Sequence, residues 1–186
     1  MKSAEFANLL DMFTDAVRRA PDQDAIRYFD GALSVADLDA ASDALAAALQ
    51  GLGLAAGDRL ALFSQNNRAF VIGMLATWKA GGIAVSANPM YKERELGHVP
   101  RDSGSRALIC RDGLHGVART VLADGDTEVD MVVCFSGRDF QTRDDERVFG
   151  LGNGARTTIE GTHDPRHTAR GTHRASTDRR SSRRSP

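Results

Sequence analysis

The sequence predicts an α/β fold, a mostly parallel sheet with helices on both faces, and three observations carry that prediction. Short apolar runs recur at residues 60–63, 83–87, 107–110 and 131–135 without the polar alternation of a half-exposed strand, which is how strands covered on both faces read. Segments of helical period lie between them, so successive strands need crossovers and a parallel sheet. The junctions carry glycine or asparagine suited to turns and caps: Asn66-Asn67 after the first run, Gly81-Gly82 before the second, Asn88-Pro89 after it.

The elements follow in order. Ser3 is placed to cap a first helix whose apolar residues Phe6, Leu9, Leu10, Phe13, Ala16 and Val17 share one face, and Pro21 ends it. Residues 25–29 form a strand, and Asp30-Gly31 is a strong signal for a two-residue hairpin turn. Ser34 with Asp37 three residues on begins a second helix, stopped by Gly51 and Gly53. Its inward stripe is Leu38, Ala41, Leu45, Leu49 and Leu52, with Asp39, Asp43 and Gln50 in water.

Asn66 or Asn67 caps a third helix that is apolar nearly all round and therefore packs between layers. Gly73 in its middle costs about 1 kcal/mol against Ala, a cost offset by close approach to the sheet. Residues 83–87 form the next buried strand. A polar helix from about Lys92 meets Pro100, where it stops or kinks near Val99. A further helix over 114–122 precedes the last strand.

At 186 residues the chain has room for one ordinary domain, with 41% apolar residues and a formal net charge of −1. Near-zero net charge gives no global argument for nucleic acid or a membrane surface as a partner, although Arg is concentrated at the C-terminus, and nucleic acid is not expected. No run approaches the ~20 apolar residues of a membrane span, and the N-terminus lacks the features of a signal peptide, so a cytoplasmic location is expected. Cys110 and Cys134 have no CxxC spacing and read as two buried thiols in a reducing compartment.

Beyond residue 140 the periodicity disappears, which divides the chain into an α/β unit over 1–140, an irregular connector over 141–164 and an Arg/Ser/Thr/His-rich tail over 165–186. The tail is expected to be disordered, having almost nothing to bury against about 1–2 kcal/mol of backbone entropy per residue. The run Gly150-Leu151-Gly152-Asn153-Gly154 follows no strand, there is no GxxxxGK[ST] or GxSxG, and His163, His167 and His173 are interrupted by Pro165 with no cysteine near. No catalytic residue and no metal ligand is assigned. Candidate ligand contacts are Asn66, Asn67 and Asn88, because ligands of open parallel sheets sit beyond the carboxyl ends of strands; each is equally suited to a cap or turn.

Residues 57–109, GDRLALFSQNNRAFVIGMLATWKAGGIAVSANPMYKERELGHVPRDSGSRALI, resemble the N-terminal region of the adenylate-forming (AMP-binding) superfamily, especially the acyl-CoA synthetases or fatty-acid–CoA ligases. Gly57, Asp58, Asn66, Lys79, Ala80, Gly81, Asn88, Pro89, Glu95, Leu96, Asp102, Ser103 and Gly104 fit the family pattern, and the resemblance covers about residues 6–140. It implies ATP-dependent activation of a fatty acid or other carboxylate to an acyl-adenylate, then transfer to coenzyme A, with Mg²⁺ and a lysine stabilising the phosphates.

The family's phosphate loop, metal motif, ribose-binding aspartate, hinge and catalytic lysine all belong downstream of the resembling stretch, and Lys79 is not that lysine. The expectation is therefore a truncated ligase, inactive alone, which arises if a frame disruption near residue 164 replaced the rest. An apolar surface normally covered by the missing part implies aggregation or a homo-oligomer. Two alternatives are a non-catalytic interaction module whose Arg-rich tail meets an acidic partner, and one half of a split ligase completed by a separate chain.

Overall fold

A computed structural model of the chain describes residues 6–29, 31–137 and 139. The expectations for Ser3, for the 150–154 glycines, and for the connector and tail beyond residue 140 lie outside the described residues. The chain runs α1 (Leu9–Arg19), β1 (Asp24–Tyr28), β2 (Gly31–Ser34), α2 (Val35–Gly51), β3 (Arg59–Phe63), α3 (Arg68–Lys79), β4 (Ile83–Ala87), α4 (Glu93–Ser103), β5 (Ser105–Arg111), a 3-10 turn (Asp112–Leu114), α5 (His115–Ala123) and β6 (Met131–Phe135).

Strands β3 to β6 form one sheet of order β4-β3-β5-β6, every pairing parallel, as the apolar runs predict. Alternate residues of the central strand β3 go to opposite layers. Leu60 and Leu62 join Leu45, Leu49, Ile72 and Leu75 in the core on the α2/α3 side, while Ala61 and Phe63 join Leu96, Leu108 and Val121 on the α4/α5 side. Gly73 does bring α3 down onto the sheet. A Cβ there would lie 3.0 Å from Leu62 Cδ2 and 3.2 Å from Ile109 Cδ1.

Strand β4 departs from the sequence reading. It is an edge strand with Ile83 50% exposed, because the chain crosses back over β3 to place β5 on the other side. In α2 the buried face is Val35, Leu38, Ser42, Leu45, Ala46 and Leu49, and Leu52 lies past the helix end in solvent. Ser34 and Asp37 close the expected capping box, each side chain bonding the other residue's backbone N–H.

The β1–β2 hairpin pairs Tyr28 with Gly31, so its loop is one residue earlier than Asp30-Gly31. Phe29 therefore takes the positive φ of 53° that a glycine would accept more easily. Helix α1 is capped by Asn8, whose Oδ1 accepts from Asp11 N–H at 2.9 Å.

Pro100 neither stops nor ends α4, which continues to Ser103 and finishes at Gly104 in the left-handed region, φ 62°. The proline has no N–H to bond the preceding turn, and only Arg101 to Ser103 follow it before Gly104. Ser103 Oγ donates to Val99 O at 2.6 Å, and Gly104 N–H bonds Pro100 O, which keeps that turn closed.

Lys79, the lysine of the KAG signature, fastens α3 to α2. Its Nζ donates to Asp39 Oδ1 and Asp43 Oδ1, both at 2.6 Å, and to Asp39 O at 3.0 Å, and lies 5.6 Å from the centre of the Phe13 ring. Asp39 and Asp43 are thus not merely solvated, as the helical pattern had them. The side chain is only 13% exposed, so these bonds are worth more than a surface pair. Lys79→Met keeps the stem and removes the charge; a loss of about 1–2 kcal/mol is expected in urea unfolding followed by far-UV circular dichroism. The coupling to Asp39 is read from a double-mutant cycle with Asp39→Asn.

Candidate functional site

The order β4-β3-β5-β6 puts a topological switch point between β3 and β5. The chain leaves β3 into α3 on one face and leaves β5 toward α5 on the other. The carboxyl ends of two such strands diverge and open a crevice, the usual ligand position in an open α/β sheet. Here its rims are Ser64 to Asn67 after β3, Arg111 at the end of β5 with Asp112 after it, and Ser136 and Gly137 after β6.

The three asparagine candidates are not brought together as a contact set. Asn67 is the cap of α3, its Oδ1 accepting from Phe70 N–H at 2.9 Å and its Nδ2 near Ser64 Oγ at 3.4 Å. Asn88 lies beyond the edge strand and its Oδ1 accepts from Met90 N–H at 2.9 Å in the turn that follows. Asn66 is exposed on the β3 rim. In Asn67 and Asn88 the side-chain acceptor is spent on backbone geometry, the ordinary use of asparagine at a cap or turn.

The residue that spans the crevice is Arg111, which the sequence reading did not single out. Its Nη1 reaches Gln65 Oε1 at 3.4 Å and its Nε lies 3.6 Å from Asp112 Oδ1. The guanidinium lies against Gly137, where a Cβ would come within 3.2 Å of Nε and Nη2. Arg111 therefore ties the end of β5 to the end of β3 and fills the space that a side chain at 137 would take. A polar residue ending an apolar run was the available signal, and Arg111 has it as plainly as Asn88 does.

Next to this, on the buried side, β5 and β6 place Cys110 directly opposite Cys134, with Sγ atoms 3.3 Å apart. The hydrogen bond between them, with burial, pushes the Cys110 thiol up, and the same bond holds the Cys134 thiol down. Burial and the nearby Arg119 lower His115 at the start of α5. On the same face, at the opposite edge of the sheet, a groove of about 460 Å³ runs between β4 and α4, lined by Val85, Tyr91, Glu95, His98 and Asp102 among others.

No group of three His, Cys, Asp or Glu side chains suited to a metal ion occurs among the described residues. The β3 rim, Ser64-Gln65-Asn66-Asn67, has no glycine to let phosphate approach the backbone, and the space over Gly137 is taken by Arg111. The described residues do not fit a nucleotide–magnesium complex, and no chemical step is assigned to them.

The fold and its crevice define a doubly wound α/β unit built on a parallel sheet. The family model described as AMP-binding enzyme matches residues 13–165. A long-chain-fatty-acid–CoA ligase of Escherichia coli is 39% identical over 105 residues, covering 56% of this chain and 19% of the ligase. The salicyl-AMP ligase / salicyl-S-ArCP synthetase of Mycobacterium tuberculosis is 37% identical over 126 residues, 62% of this chain and 22% of that protein. Among solved structures, apo MbtA of Mycobacterium smegmatis superposes with a TM-score of 0.63 at 28% identity, covering 68% of this chain and 24% of that one. The chain belongs to the AMP-binding enzyme family, and it spans about a fifth of the length of these curated relatives.

Proposed function

We propose that this chain carries the N-terminal subdomain of an acid–CoA ligase, with the chemistry of that ligase performed by residues outside it. The assembled enzyme activates a carboxylic acid with ATP and Mg²⁺ to an acyl-adenylate and passes the acyl group to coenzyme A. A fatty acid is the first substrate class, since long-chain-fatty-acid–CoA ligases recur among the relatives at 37–39% identity. The subdomain is residues 1–140, with 141–164 a connector and 165–186 a tail. The protein works in the cytoplasm, and among the described residues no helix is long and apolar enough to cross a membrane.

One observation carries this reading: the family match runs from α1 past β6 in unbroken order, while the strand-end residues of the described unit are used for caps and a crevice strut. A subdomain of this kind has a structural duty, to present a firm sheet and helix face to the rest of the enzyme. Leu9, Met12, Ile83 and Met90, 58%, 47%, 50% and 78% exposed, give it apolar surface for such contact.

A chimera tests the reading. Residues 13–137 are exchanged for the matching stretch of the Escherichia coli ligase, and acyl-CoA formation from a long-chain acid is measured. Retained activity is expected. A soluble, folded chimera that forms no acyl-adenylate would contradict the proposal.

A further inference from the structure

We propose that Cys110 and Cys134 form a reversible dithiol–disulfide site, oxidised by low-molecular-weight disulfides through Cys134. The inference does not depend on the ligase reading.

The geometry supplies three requirements at once. The two residues are register partners on adjacent parallel strands, about 4.8 Å apart in a sheet, inside the ~4.4–6.8 Å Cα range of disulfides. Both thiols are free and their sulfurs lie 3.3 Å apart, so a bond of about 2.05 Å needs each sulfur to move only about 0.6 Å. Access is unequal: Cys110 is fully buried in the α4/α5-side core, and Cys134 beside it is only partly covered.

That inequality assigns the roles. The two sulfurs share a hydrogen bond in which either can donate; that contact, with burial, pushes the Cys110 thiol up, and the same contact holds the Cys134 thiol down. Thiolate character and exposure together make Cys134 the attacking group. Its sulfur attacks one sulfur of RS–SR, forming Cys134–S–SR and expelling RS⁻, which takes up the proton Cys134 gave to solvent. Cys110 then loses its proton and attacks the Cys134 sulfur, breaking the Cys134–SR bond and releasing the second RS⁻, which is protonated. Two protein thiols have lost two electrons and two protons, and one small disulfide has become two thiols. A small thiol runs the sequence backwards.

Reversibility follows because thiol–disulfide exchange runs in either direction with the ratio of small thiol to small disulfide. The pair lies one residue before Arg111 and two before Ser136, so oxidation stiffens the β5 and β6 rims of the crevice.

The test uses the full 186-residue chain in a series of glutathione disulfide to glutathione ratios, quenched with acid and read by intact mass and peptide mapping. Wild type is expected to lose two hydrogens, to show a Cys110–Cys134 cross-link, to hold no lasting glutathione adduct, and to revert with excess glutathione. Cys110→Ala should accumulate one glutathione at position 134. Cys134→Ala should react about tenfold more slowly or less, its remaining thiol being buried. Circular dichroism of both variants guards against misfolding, and the wild-type cross-link stands without them. A wild-type chain that stays reduced, that links only between molecules, or that reacts first at Cys110 overturns the proposal.

Discussion

Phe63→Ala lowers the free energy of unfolding by about 3–5 kcal/mol, the range for emptying a fully enclosed aromatic site. Phe63 is 0% exposed at the carboxyl end of the central strand, paired with Ala87 on one side and Cys110 on the other. Its side chain belongs to the core under α4 and α5, with Leu96 and Val121. Neighbouring strands are fixed by their ladders, so the space cannot close cheaply, and the loss includes the void as well as the buried area. Urea unfolding followed by the single tryptophan, Trp78 on the opposite layer, reads the change. Leu9→Ala, at a position 58% exposed, shifts the same transition by no more than about 0.5 kcal/mol.

The second large effect is at Gly73. Gly73→Val costs about 1–3 kcal/mol, because the added methyls extend a Cβ already 3.0 Å from Leu62 Cδ2 and 3.2 Å from Ile109 Cδ1 into the sheet. Gly73→Ala behaves differently. The atoms it meets are the ends of flexible side chains, and the helix gains about 1 kcal/mol on losing a glycine, so the net change stays close to zero. A pair of urea curves separates the two cases. Equal, small effects from both substitutions would mean that α3 does not rest on the sheet at Gly73.

The sheet was legible in the sequence because a strand covered on both faces must be apolar throughout, and β3, β5 and β6 read that way. Strand order was not, since whether 83–87 lies inside or at the edge depends on which side of β3 the chain returns. The run is apolar either way. Local chemistry was readable where it is complete within four residues, as in the Ser34/Asp37 box; it stayed open between Asn66 and Asn67, of which Asn67 is the cap, and slipped by one at the hairpin loop at Phe29. Pro100 was misjudged because the turn after it is closed by bonds from Ser103 and Gly104 that the proline's own cost does not reveal.

Long-range pairs were the least visible. Lys79 could be seen as a signature residue, yet its partners Asp39 and Asp43 lie a helix away and are found only when α2 and α3 are laid side by side. The cysteines are separated by 24 residues, and only the register of β5 on β6 makes them neighbours. Arg111 is similar: its meaning comes from Gln65 and Gly137, on two other strands' ends.

The proposed role is that of a structural subdomain, with the chemistry of the family performed by residues outside this chain. ATP–pyrophosphate exchange by the purified 186-residue chain, with Mg²⁺ and long-chain acids, tests it most directly. Exchange at the level of a no-protein control is predicted, and acid-dependent exchange above that level would contradict it.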